Sequence, residues 1–139
     1  MTFVLVELDS LEALKLVSLA GQSLAIDELD QGWDKTFIAT YFFVRMEKRS
    51  GVATTLQTRM IEGPLEDPAT GAAASALTAY LSLKEGTPDE TLRYELVQGV
   101  EMGRRSEIFI DIEMDSDKSI SKVFLEGGAV QVMEGRLTI

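Results

Sequence analysis

With 139 residues, 45% of them hydrophobic, and three prolines, the chain is long enough for one domain with its own core and too short for two. Its formal net charge of −10 opposes attraction to nucleic-acid phosphates or anionic membranes, so neither is an expected partner. Cysteine and histidine are both absent, which removes disulfides, thiolate catalysis, imidazole metal ligation and most hydrolase triads; no metal and no cofactor is expected, and proton chemistry falls to Asp, Glu, Lys or Tyr. The apolar start Phe3-Val4-Leu5-Val6 lacks a basic leader and is interrupted by Glu7 and Asp9, and no run reaches the roughly 18 apolar residues of a membrane span. A cytoplasmic protein is the expectation.

In chain order, Thr2 to Leu8 reads as a short strand. Asp9 or Ser10 can cap a following helix with apolar positions Leu11, Leu14, Val17 and Leu19, ending at Gly21. After the polar stretch from Asp27 to Asp34, the aromatic and β-branched run Thr36 to Val44 predicts a strand covered on both faces, with Glu47 to Gly51 as its turn. Val52 to Ile61 is the next strand, broken by Gly63 and Pro64. From Gly71 to about Leu83, the positions Ala73, Ala76, Leu77, Tyr80 and Leu81 follow helical spacing, and the small residues between them predict a helix that can be enclosed all round. A turn at Glu85 to Asp89 precedes four extended segments: Thr91 to Val97, Ser106 to Glu113, Ser119 to Leu125, and Ala129 to Met133. Gly127-Gly128 separates the last two. This pattern predicts an α+β domain over residues 1–139, a curved, mainly antiparallel sheet wrapped around a central helix.

Chemistry concentrates at Glu66-Asp67-Pro68-Ala69-Thr70-Gly71-Ala72, where an acid and a turn meet the mouth of an apolar helix. N–H groups in a helix's first turn lack intrahelical acceptors and the helix dipole adds positive potential, so a carboxylate or phosphate can be held there without Lys or Arg. Two readings of Asp67 stand side by side: a proton-carrying group, or a helix N-cap with Pro68 at the first helical position. Thr70, Gly71 and Ala72 form an anion nest, or else Thr70 caps the helix and Gly71 relieves a close approach. Glu66 and nearby Arg59 are supporting residues. Met102-Gly103-Arg104-Arg105 fits a turn with surface ion pairs better than a phosphate contact. Phe37, Tyr41, Phe42 and Phe43 fit a core better than a stacking surface, with Trp33 covering one end. Asp111, Glu113, Asp115 and Asp117 lack the glycine and terminal Glu of a calcium loop and fit a strand running into a solvated turn.

Three segments together, Glu66 to Gly71, then Gln98-Gly99-Val100-Glu101-Met102-Gly103-Arg104 with Ser106, then Gly127-Gly128-Ala129-Val130-Gln131-Val132, resemble the C-terminal half of phenazine-biosynthesis-like (PhzF-family) proteins. The resemblance covers nearly the whole chain. It implies one half of a diaminopimelate-epimerase-like pseudo-dimer, in which two similar domains face each other across a cleft and a proton is moved within a small carboxylate substrate. It also implies that Asp67 occupies the active-site acid position and that the backbone at Gly71 and Ala72 faces the substrate carboxylate. Ala72 stands where the family commonly has Ser, Arg105 where Pro is frequent, and the loop from Arg59 to Glu66 is short. The N-terminal catalytic half, with its proton-shuttling Glu and its Gly-His-Pro motif, is absent from this sequence. The expected function is therefore the substrate-carboxylate half of an isomerase site, completed by an N-terminal domain. The alternative is a degenerate homodimer that binds a small anion without catalysis.

Overall fold

The computed structural model describes residues 1–26, 29–33, 36–46 and 53–136. Among them the order is β1 (Thr2–Glu7), α1 (Leu11–Leu16), β2 (Ile38–Arg45), β3 (Thr54–Glu62), β4 (Leu65–Asp67), α2 (Gly71–Glu85), β5 (Thr91–Gln98), β6 (Ser106–Met114) and β7 (Ile120–Gly127). The expected turn from Glu47 to Gly51 lies outside the described residues.

All seven strands join one sheet in the order β1-β2-β3-β5-β6-β7, with β4 paired beside β3. The β1–β2 and β3–β5 pairs are parallel and the other four antiparallel, so the sheet is mixed, with antiparallel pairing in the majority. A parallel pair needs a crossover rather than a hairpin. The β3–β5 crossover is β4 and α2, and it carries the helix onto the concave face. The sheet curls far enough that α2 touches both of its edge strands, β1 and β7, as well as β5 and β6.

Period-two alternation builds the core. Ala39, Tyr41 and Phe43 on β2, Leu56 and Met60 on β3, Tyr94 and Leu96 on β5, and Ile108, Ile110, Ile112 and Met114 on β6 form one buried cluster with Ala73, Ala74, Leu77 and Leu81 of α2. The alanines on α2 let the sheet backbone approach closely, and the leucines fill the hollow behind them. Two polar positions, Thr58 on β3 and Gln98 on β5, fall on this same inward face and are directly paired in the parallel register.

Four sequence expectations are corrected. The first helix ends at Leu16 rather than Gly21: Ser10 caps its start by accepting from Ala13 N–H, and Val17 turns extended at its end. Leu16, the last helical residue, is 83% exposed. The central helix is covered on one side rather than enclosed, with Tyr80 and Leu83 half-exposed. Ala129 to Met133 forms no strand, and Val130 and Val132 are 87% and 89% exposed, because among the described residues no strand pairs with this segment to take its hydrogen bonds. Trp33 is exposed instead of covering the aromatic cluster.

Candidate functional site

The β3–β4 hairpin turns through Gly63-Pro64 and pairs Met60 with Asp67 and Ile61 with Glu66. It thereby delivers the acidic pair to the start of α2. Glu66 is not free for chemistry. Arg59 Nε and Nη2 each donate to a Glu66 carboxylate oxygen at 2.8 Å, while Nη1 donates to the Leu14 and Val17 carbonyls at 2.9 and 2.7 Å. The Glu66 carboxylate holds Arg59 above the ordinary arginine range. One buried guanidinium thus closes the C-terminus of α1 and anchors the hairpin.

Asp67 is not the cap of α2. The helix starts at Gly71 with Thr70 in the cap position, and the Thr70 side chain makes no capping bond to the helix. Its hydroxyl lies instead 2.6 Å from Asp67 Oδ2, and Ala69 N–H makes a long 3.4 Å contact to Oδ1. The cap reading fails because Pro68, Ala69 and Thr70 separate Asp67 from the first helical residue. Ala74 N–H makes the first intrahelical bond, to Thr70 O, so the N–H groups of Gly71, Ala72 and Ala73 precede the ladder and have no acceptor within it.

Asp67, Thr70, Gly71 and Ala72 line one open cavity of about 580 Å3. Its remaining wall is largely apolar: Phe3 of β1, Phe37, Met60, Leu65 and Met102 contribute, with Arg104 at the same opening. The Phe3 and Phe37 rings meet edge to face, 6.5 Å between centroids. Of the four aromatics read as core, Tyr41 and Phe43 are core, whereas Phe37 lies just before β2 and faces this cavity. Met102 and Arg104 also reach it, a placement the turn reading of that loop did not foresee. Arg105 forms the expected surface ion pair, with Glu107.

The loop from Gly99 to Arg105 is pressed against the Asp67 loop. Gly99 has φ +76°, and a Cβ there would lie 2.4 Å from Arg104 O and 2.9 Å from Pro68 O. Gln98 completes the junction: Nε2 donates to Asp67 O at 2.7 Å and to Thr70 Oγ1 at 3.0 Å, and Oε1 accepts from Thr70 N–H at 3.3 Å. Sequence reasoning placed Gln98 only inside a motif. Its signal was a lone glutamine on the otherwise apolar inward face of its strand, in step with Leu92, Tyr94 and Leu96.

On the other side of the helix start, Gly71, Leu125, Gly127 and Gly128 border a second opening of about 620 Å3. The acidic series behaves as a strand and turn: Asp111 pairs with Arg93, Glu113 with Lys122, and Asp115 and Asp117 accept from Ser116 and Ser119 N–H. No cluster of three or more acidic groups suited to a metal occurs among the described residues, and no helix there is long and apolar enough to cross a membrane.

A strongly curled mixed sheet around one helix, with an acid at that helix's mouth, defines an α+β half-barrel domain. The chain belongs to the phenazine biosynthesis-like protein family, whose model matches residues 2–135. It is also similar to a curated protein of Mesorhizobium japonicum named as an uncharacterized isomerase, 35% identical over 74 residues. That match takes in 53% of this chain and 24% of the relative's length.

Proposed function

We propose that this domain supplies the substrate-carboxylate half of a proton-transfer site. The carrying observation is that Asp67 and the start of α2 line one cavity. In this reading the N–H groups of Gly71 and Ala72 receive a small carboxylate, and Asp67 exchanges a proton with a carbon of the same molecule. The Thr70 hydroxyl is turned to Asp67, so Thr70 serves the ligand by shaping the loop. The apolar wall of Phe3, Phe37 and Met102 suits the hydrocarbon part of the ligand. Transfer between two carbons needs a second acid–base group on the facing side of the cleft. Residues 1–139 act here as a C-terminal-type domain, and a complementary N-terminal domain provides that group.

Titration of the 15N-labelled chain with benzoate tests the binding half. Benzoate is expected to shift the Gly71 and Ala72 amide signals, and benzamide, its neutral counterpart, is not. Equal shifts from both probes, or none from either, would remove the carboxylate reading. Deuterium wash-in at carbon, measured on small carboxylates with the complementary domain added, tests the transfer half; it should vanish in Asp67→Asn while benzoate binding persists.

A second reading has its own support. Tyr80 and Leu83 on α2 and Phe124 and Leu125 on β7 are exposed, and among the described residues β1 and β7 are the ends of the sheet path. A twofold pairing of identical domains covers such a face, and the domain would then be a homodimeric small-anion binder. Sedimentation showing only monomer at micromolar concentration would rule it out.

A further inference from the structure

Gln98 is fully buried, and its amide orientation is dictated by two backbone partners of opposite kind. Thr70 N–H can only donate, so the atom it meets is Oε1; Asp67 C=O can only accept, so the atom it meets is Nε2. Tyr41 Oη lies 3.0 Å from the same Oε1 and 2.9 Å from Thr58 Oγ1. Burial pushes the Tyr41 phenol well up, which keeps it a neutral donor. With both ends of the amide settled, Nε2 must donate to Thr70 Oγ1, so that oxygen is an acceptor there. Thr70 has one hydroxyl proton, and the partner left for it is Asp67 Oδ2 at 2.6 Å.

We infer that Gln98 is a positioning residue for Asp67: through Thr70 it sets a one-directional hydrogen-bond chain, Tyr41 to Gln98 to Thr70 to Asp67, that occupies Oδ2 and leaves Oδ1, with its long contact to Ala69 N–H, to take and give the proton. The chain also ties both ends of the Asp67–Thr70 turn to β5, so the carboxylate and the start of α2 move as one piece. The functional meaning rests on Asp67 as the proton-carrying group proposed above. The chain of bonds can be measured without it.

The test is NMR on the 13C,15N-labelled full chain with no carboxylate probe present. On lowering the pH, the Gln98 Nε2–H signals are expected to move in step with the Asp67 Cγ signal, because a proton placed on Asp67 repolarises the Thr70 hydroxyl. Asp67→Asn should abolish the movement, Thr70→Val should remove most of it, and Thr70→Ser should keep it. A role confined to packing would leave the Gln98 amide stationary. The inference is overturned if those signals stay fixed while Asp67 titrates, or if they still move in Asp67→Asn or undiminished in Thr70→Val. Should Thr70→Val fail to fold, the wild type and Thr70→Ser still decide. The wild type must also show a through-hydrogen-bond coupling between Gln98 Nε2 and the Asp67 carbonyl carbon. Loss of the coupled movement with benzoate binding intact would remove the positioning role alone; failed benzoate binding with coupling intact would remove the carboxylate reading alone.

Discussion

Arg59 and Glu66 meet fork to fork, Nε to Oε1 and Nη2 to Oε2, both at 2.8 Å, with side chains only 7% and 11% exposed. The same guanidinium reaches two carbonyls at the end of α1, so the pair ties α1 to the β3–β4 hairpin.

Arg59→Leu should therefore cost about 3–5 kcal/mol of folding stability, the range for stranding one member of a buried ion pair. Arg59→Lys should recover little of it, because an ammonium cannot reproduce the planar fork. Urea denaturation midpoints measure both, and a loss under about 1 kcal/mol for Arg59→Leu would show the pair to be solvent-screened.

Gly99 and Gly103 share a left-handed backbone, at φ +76° and +71°, yet have opposite surroundings. Gly99→Ala meets two backbone oxygens, that of Arg104 in its own loop and that of Pro68 in the Asp67 loop; nothing lies within 4 Å of a Cβ at Gly103. Gly103→Ala should cost about 1–2 kcal/mol, the intrinsic left-handed penalty. Gly99→Ala should cost clearly more and also shift the Thr70 and Gly71 amide signals. Equal losses would mean that the close approach at Gly99 carries no energy.

Asp67→Asn keeps an acceptor for the Thr70 hydroxyl, so stability should change by no more than about 1 kcal/mol. It also removes a negative charge from the cavity that the benzoate probe is proposed to enter. Like charges repel, so benzoate should bind Asp67→Asn more tightly than wild type, and more so at low salt. Weaker binding, read from the same amide titration, would place the anion away from Asp67.

Burial raises the phenol groups of both Tyr41 and Tyr94. A raised folded-state value means that the unfolded chain loses its phenolic proton first. Stability from this source is therefore intact below about pH 10 and falls above it, at about 1.4 kcal/mol per pH unit for Tyr41. Tyr41→Phe should flatten that alkaline slope, and it should cost about 1–2 kcal/mol near neutrality by leaving Gln98 Oε1 one donor short. Urea midpoints from neutral to alkaline pH check both effects.

Local pattern was enough for most elements. Alternation at Ile108, Ile110 and Ile112, small-residue helical spacing after Gly71, and breaks at Gly63-Pro64 and Gly127-Gly128 are short-range consequences of backbone geometry, and α2 and the described strands other than the unforeseen β4 lie within a few residues of where that pattern puts them. The order of three short motifs was enough for the family.

What stayed hidden depends on partners far along the chain. α1 is short because Arg59, more than 40 residues on, takes its final carbonyls. Ala129 to Met133 has a strand's pattern, but a strand exists only where a neighbour accepts its hydrogen bonds. Asp67 stood out in sequence as an acid at a helix mouth. Its tie to Gln98, 31 residues away, exists because the parallel register of β3 and β5 sets Gln98 opposite Thr58 while the β4–α2 crossover returns the Asp67 loop above it. The sequence by itself determined which residue types could bind an anion and carry a proton. The curl of the sheet decided which of them share one cavity, because contact between distant residues is a property of register and crossover, and no local pattern encodes it.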